Sequence, residues 1–226
     1  MAELRLADQV FVAVIQDRCI VLDLVKDRYV ALSGAAARVL SALLAPSGAG
    51  AGADPADLAA AGDELLRRGL LAAGRGAPRP RRPPPAPPRE TLWPSDAGGA
   101  ARPGATAFLR ALRALADVAL RLRWASFAGA VGWVAARPVR PRRAGVSLQR
   151  ALDDFIDARP WFPAEPICRL DAFALCAHLR RSGVPADLVF GVKLQPFYAH
   201  CWVQVGEVSV NEPHEVVRRF TPILRV

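Results

Sequence analysis

Residues 77–88 read Ala-Pro-Arg-Pro-Arg-Arg-Pro-Pro-Pro-Ala-Pro-Pro, a run that neither a helix interior nor a central strand can hold. Proline fixes φ and has no N–H to donate, so this stretch is predicted to be extended polyproline. It divides the 226 residues in two, and a hydrophobic content of 52% is ample for packed cores on both sides. The expected organisation is one domain over residues 1–75, a Pro/Arg-rich linker over 76–105 and a second domain over 106–226. PxxP segments can recruit partner domains, but in a chain so rich in arginine and proline the spacer reading is simpler.

The net charge is +9, and its placement matters more than its size. Residues 67–143 hold sixteen arginines against three acids, so the rest of the chain is net negative. The excess accompanies proline-rich and helical sequence and lacks an interleaved aromatic stacking platform, so nucleic-acid binding is not expected. Lys26 and Lys193 are the only lysines, a bias that fits genome composition better than selection for phosphate binding. The first ten residues carry two acids and no sustained apolar run, so no secretory signal is read and the cytoplasm is the expected location.

Before the linker, residues 10–15, 19–24 and 28–32 alternate as short strands separated by turn-like Gln16-Asp-Arg and Val25-Lys-Asp. Ser33 caps a predicted helix through about Leu44, and Asp54-Pro55 start another through Arg68, ended by Gly69. A meander followed by two short helices predicts a small winged-helix-like module. Without any histidine or acid–base cluster, it reads as a binding unit, the alternative being a merely structural subdomain.

After the linker, Phe108, Leu109, Leu112, Leu115, Val118, Ala119 and Leu122 recur at helical spacing, with arginines largely between them. The apolar run over 124–136 is short of the roughly twenty residues that span a bilayer, so no transmembrane helix is predicted. Burial against the following domain is expected for the basic amphipathic helix, rather than membrane contact. Residues 148–158 predict a further helix. Pro166 sits where a helix start tolerates it, ahead of a helix that carries Cys168 and stops at Ser182-Gly183. Strands over 186–192, 199–205 and 207–210 follow, and helices before an antiparallel sheet make this domain α+β.

Cys168 near a helix start and His200 on a strand form a candidate nucleophilic pair of papain-like type. The positive end of a helix favours thiolate, and a neighbouring imidazolium favours it further. Taken alone, Cys168 could equally pack as a small hydrophobe. Cys19, Cys168, Cys176 and Cys201 form no Cys-x-x-Cys pair, and His178, His200 and His214 fall into no zinc spacing, so reduced thiols without a metal are expected. Cys176 should share the packed face of the helix. Cys201 should point away from His200, Trp202 should share the His200 face, and His178 and His214 are expected to be solvated.

Asn211-Glu212 supplies a third group to orient the imidazole. A two-residue turn at Gly206-Glu207 would put Asn211 on the His200 face; a three-residue turn would put Glu212 there. The whole chain then resembles the leader peptidases of lasso-peptide biosynthesis, in the form that fuses a precursor-recognition element to a transglutaminase-like cysteine protease. The N-terminal match lies over residues 19–34, like the strand–turn–strand of such recognition elements. The C-terminal match is Cys168-Arg-Leu, Gly183-Val-Pro-Ala-Asp-Leu, Ala199-His-Cys-Trp-Val, Val210-Asn-Glu and Phe220-Thr-Pro-Ile-Leu.

The resemblance implies that the N-terminal domain binds the leader of a ribosomally made precursor by strand addition at Arg28, Tyr29, Val30 and Leu32. It implies cleavage between leader and core by Cys168 as nucleophile, His200 as base and acid, and Glu212 as third member, with Asn211 the runner-up. The family usually has aspartate where Glu212 stands. No cofactor is implied for this chain; ATP is expected to serve a partner, the asparagine-synthetase-like lasso cyclase. Two other readings are an amidase or transglutaminase-like acyl transferase on the same scaffold, and a non-catalytic adaptor that delivers the precursor to the cyclase.

Overall fold

The computed structural model describes residues 4–44, 54–74, 82–94, 104–141 and 146–226. The chain forms two compact units, residues 1–83 and 84–226. Much of the sequence assigned to the linker, residues 75–81 and 95–103, lies outside the described residues.

In the first unit, β1 (Leu4–Leu6) pairs with β5 (Leu71–Ala73), while β2 (Val10–Ile15), β3 (Arg18–Asp23) and β4 (Arg28–Leu32) form an antiparallel meander in that order. Gln16 and Asp27 adopt positive φ in the two tight turns that set its register. Helices α1 (Gly34–Leu44) and α2 (Pro55–Arg67) cover the meander. Asp54 caps α2, accepting from Ala56 N at 2.9 Å, and Pro55 takes the first helical position, as the sequence predicts. The core gathers Leu6, Val10, Cys19, Val21, Leu40 and Leu65 with Leu70 and Leu71. The strand order places β4 at one edge of the meander. Leu32 is buried in the core and Val30 packs against it, whereas Arg28 and Ala31 are exposed.

The second unit is a helical layer on a five-stranded sheet. Helices α3 (Ala105–Trp124), α4 (Phe127–Ala135), α5 (Leu148–Ala158) and α6 (Cys168–Arg181) precede every strand of the sheet but one. Its order is β10 (Thr221–Arg225), β7 (Asp187–Leu194), β8 (Phe197–Val205), β9 (Val208–Ser209) and β6 (Glu90–Thr91). A short helix, α7 (His214–Val217), links β9 to β10. Helix α6 is the spine: all of Ala172–Leu179 and Arg180 are buried, including Cys176. The buried Arg180 guanidinium is satisfied by carbonyls, Nε donating to Ala186 O at 2.7 Å and Nη1 to Val134 O at 2.8 Å.

The sheet is antiparallel except at β6, which adds in parallel to β9. Strand β6 belongs to a segment, residues 84–94, that lies along this edge. Arg89 N donates to Glu207 O at 2.8 Å, Leu92 N to Ser209 O at 2.9 Å and Gln204 Nε2 to Ala86 O at 2.6 Å. No helix among the described residues is long and apolar enough to cross a membrane.

Candidate active site

Cys168 is the first residue of α6. Arg159 fixes the approach to it: its guanidinium pairs with Asp171 one turn into the helix and donates to Phe162 O at 3.3 Å and Ala164 O at 3.0 Å. The N-cap, Ile167, offers no side-chain acceptor, so the first backbone N–H groups of α6 are left for another partner. The thiol therefore stands at the positive end of a long, buried helix.

His200 lies on β8 directly opposite Gly191 of β7, its ring against Phe220 at 5.6 Å and Tyr198 at 6.1 Å. Its Nε2 is 3.0 Å from Glu212 Oε1. The other nitrogen, Nδ1, is buried and makes no hydrogen bond of ordinary geometry among the described residues. Hydrogen bonds with Cys168 and with Glu212 hold the His200 imidazolium up at about 9, outweighing burial. The Cys168 thiol is held down at about 4 by hydrogen bonds from the Cys201 thiol and from His200. The resting state is thus a thiolate beside an imidazolium.

The turn at Gly206-Glu207 has two residues, with Val205 opposite Val208 and Gln204 opposite Ser209. Alternation would then have aimed Asn211 at His200. Instead the ladder ends after Val210, whose N–H reaches Val203 O at 3.1 Å, and Asn211 Oδ1 accepts from Val203 N at 2.7 Å. Asn211 is spent on the backbone. Ser209 Oγ donates to Glu212 O at 2.7 Å, pinning the turn that brings the Glu212 carboxylate back over the imidazole. The longer glutamate side chain spans to Nε2.

Cys201 is the site residue that strand alternation missed. Its pairing partner Phe190 packs on Phe173 of α6, so the Cys201 face is the one the cysteine helix covers. Cys201 Sγ lies 3.4 Å from Cys168 O. The hydrogen bond to Cys168, followed by burial, pushes the Cys201 thiol well above the ordinary range. Of the two histidines expected to be solvated, His178 is buried, and His214 is part-exposed with a protein partner. His178 is buried against Phe155 and pushed down to about 4 by burial and Arg110, and His214 Nδ1 lies 3.0 Å from Thr91 Oγ1. Trp202 fills the core with Val189, Val217 and Phe220.

A cleft of about 410 Å³ opens at Cys168, with Thr91, Trp93, Ile156, Ile167 and Glu212 among its walls. Trp93 is 60% exposed, an apolar surface presented at the nucleophile by the edge segment. Its carbonyl is held by Gln149 Nε2 at 2.9 Å. Among the described residues, no group of three or more His, Cys, Asp or Glu is placed to hold a metal ion.

A cysteine at the start of a buried helix, packed on a sheet whose strand β8 supplies histidine, with an acid in the turn after β9, defines the transglutaminase-like class of acyl-transfer folds. The chain belongs to the transglutaminase-like superfamily, whose family model matches residues 112–225. It is also similar to the microcin J25-processing protein McjB of Escherichia coli, 42% identical over 45 residues. That stretch is 20% of this chain and spans 22% of the length of that relative. No solved structure matches.

Proposed function

We propose that this chain is a cysteine peptidase that binds the leader of a ribosomally made precursor and cleaves it from the core during lasso-peptide maturation. The observation that carries the reading is the Cys168 thiolate and His200 imidazolium, backed by Glu212 at 3.0 Å, at the head of an open cleft. The similarity to a microcin-processing protein supports the choice of substrate class.

The thiolate attacks the scissile carbonyl carbon, and the developing oxyanion is met by the Cys168 N–H at the uncapped start of α6. His200 then gives its proton to the leaving amine, the N-terminus of the core, as the thioester forms. Water, deprotonated by His200, attacks the thioester carbonyl and releases the leader carboxylate. Glu212 holds the ring orientation throughout and stabilises the imidazolium at the steps where His200 carries its proton. The side chains, the Cys168 N–H and water carry this chemistry, and ATP belongs to the cyclase that receives the core, in the cytoplasm. Residues 1–75 serve as the leader-recognition domain, with the edge strand at Arg28, Tyr29, Val30 and Leu32 as the docking site, and residues 76–105 as the connection to the protease domain at 106–226, its 84–94 part lying along the protease sheet.

The test is mass spectrometry of a lasso precursor after incubation with wild type and Cys168→Ala, with and without the cyclase. Discrete leader and core fragments that vanish in the variant are the expected outcome. Amine adducts in place of free leader acid would make the protein a transferase. A precursor left whole yet retained by both proteins would make it an adaptor.

A further inference from the structure

We propose that Trp93, with Ile156 and Ile167, forms a subsite for a large apolar side chain, aromatic or branched aliphatic, on a substrate residue that flanks the scissile bond. The inference rests on the peptidase reading of the cleft and names the class of junction that the cleft accepts.

Trp93 is 60% exposed, Ile167 52% and Ile156 37%, and all three line the cleft that holds Cys168. Large apolar side chains gathered at one concave place, and left open to water, mark where a ligand is received. They come from three elements: the edge segment, the residue before the nucleophile, and α5. The Trp93 backbone is pinned on both sides, since Leu92 N donates to Ser209 O at 2.9 Å and Trp93 O accepts from Gln149 Nε2 at 2.9 Å. A wall fixed in advance adds little ordering cost when the substrate arrives. The charged side chains of the cleft are already engaged within the protein, Arg159 with Asp171 and Glu212 with His200. A charged substrate side chain would shed its water against apolar walls and paired ions, a net cost, so acidic and basic residues are disfavoured at this position. Trp93 lies outside residues 112–225, the part that matches the family model, so this wall is separate from the elements that carry the nucleophile and the histidine.

The test measures alkylation of Cys168 in the full-length chain by iodoacetamide and by its N-benzyl and N-(2-aminoethyl) derivatives, each rate taken relative to free glutathione and read from the modified Cys168 peptide by mass spectrometry. In wild type the benzyl reagent should outpace iodoacetamide about tenfold, the gain from partly burying one aromatic ring. Trp93→Ala should bring that preference down towards the glutathione value, and Trp93→Phe should keep most of it. A benzyl reagent no faster than iodoacetamide in wild type, a preference that survives Trp93→Ala at full size, or an aminoethyl reagent faster than the benzyl one overturns the proposal. Should Trp93→Ala fail to fold, Ile156→Ala takes its place with the same expected fall. In a precursor that is cut, changing the large apolar residue beside the cut to serine should lower kcat/KM about tenfold in wild type and little in Trp93→Ala; a cut with no such residue on either side also overturns the proposal. Alkylation needs no peptide cleavage, so the two readings fail separately. A benzyl preference that Trp93→Ala removes, in a chain that cuts no precursor, sinks the peptidase reading alone; cutting without a benzyl preference sinks this one alone.

Discussion

At the scale of single residues, the Cys168 and His200 charges are interdependent, since each is a principal cause of the other's shift. The reactive form is thiolate with imidazolium. Activity should rise as pH climbs through about 4, where Cys168 loses its proton, and fall as it passes about 9, where His200 loses its own. Glu212→Gln removes one of the two interactions that raise His200. The alkaline limb of the profile should therefore move to lower pH, and kcat should fall by roughly 10²- to 10⁴-fold. A pH–rate profile of the purified variant checks both; an alkaline limb that stays in place would take Glu212 out of the triad. The sequence left Glu212 and Asn211 open for a physical reason. Alternation assigns faces only while the ladder continues, and here it stops where the Asn211 side chain accepts a hydrogen bond from Val203 N, which no pattern announces.

At the scale of elements, legibility followed periodicity and length. Strands β2 to β4 and β7 to β8, and helices α3, α5 and α6, lie within a few residues of where alternation, helical spacing and capping signals put them. Strands β1, β5 and β6 escaped because two or three residues carry no period, and each exists only through a remote partner, Leu4 opposite Ala73 and Glu90 opposite Val208. Strand β10 contains Pro222, which argues against a strand, yet it is tolerated because β10 is an edge and its register shifts between Pro222 and Leu224. The glycine that β7 places opposite His200 was also unread. A Cβ on Gly191 would stand 2.7 Å from Trp202 Cζ3 and 2.9 Å from Phe220 Cβ, both in the packed core beside the imidazole. Gly191→Ala should cost about 1–3 kcal/mol and lower Tm by several degrees. Thermal denaturation reads this directly, and an unchanged Tm would mean that the Trp202 ring yields freely.

At the scale of the whole molecule, the proposed function assigns holding a peptide to one unit and cutting it to the other. The first unit carries β4 at a sheet edge and no histidine, and the second carries the cleft. Tethering a leader on one unit raises the effective concentration of its junction at the other, a gain that enters through KM and leaves the chemical step untouched. The edge must be probed at residues whose side chains do not build the core, which excludes Leu32 and Val30. Arg28 is exposed and Tyr29 half-buried, so the double variant Arg28→Ala, Tyr29→Ala should fold. It should weaken binding of a labelled leader peptide about tenfold, near 1.4 kcal/mol, and raise KM for the full precursor in proportion. Both kcat and turnover of a short peptide spanning only the junction should stay at the wild-type value. Fluorescence anisotropy and steady-state kinetics on the same preparations separate the outcomes. A fall in kcat without loss of leader affinity would move recognition away from this edge and onto the catalytic unit, whose cleft would then have to supply it through the apolar wall at Trp93.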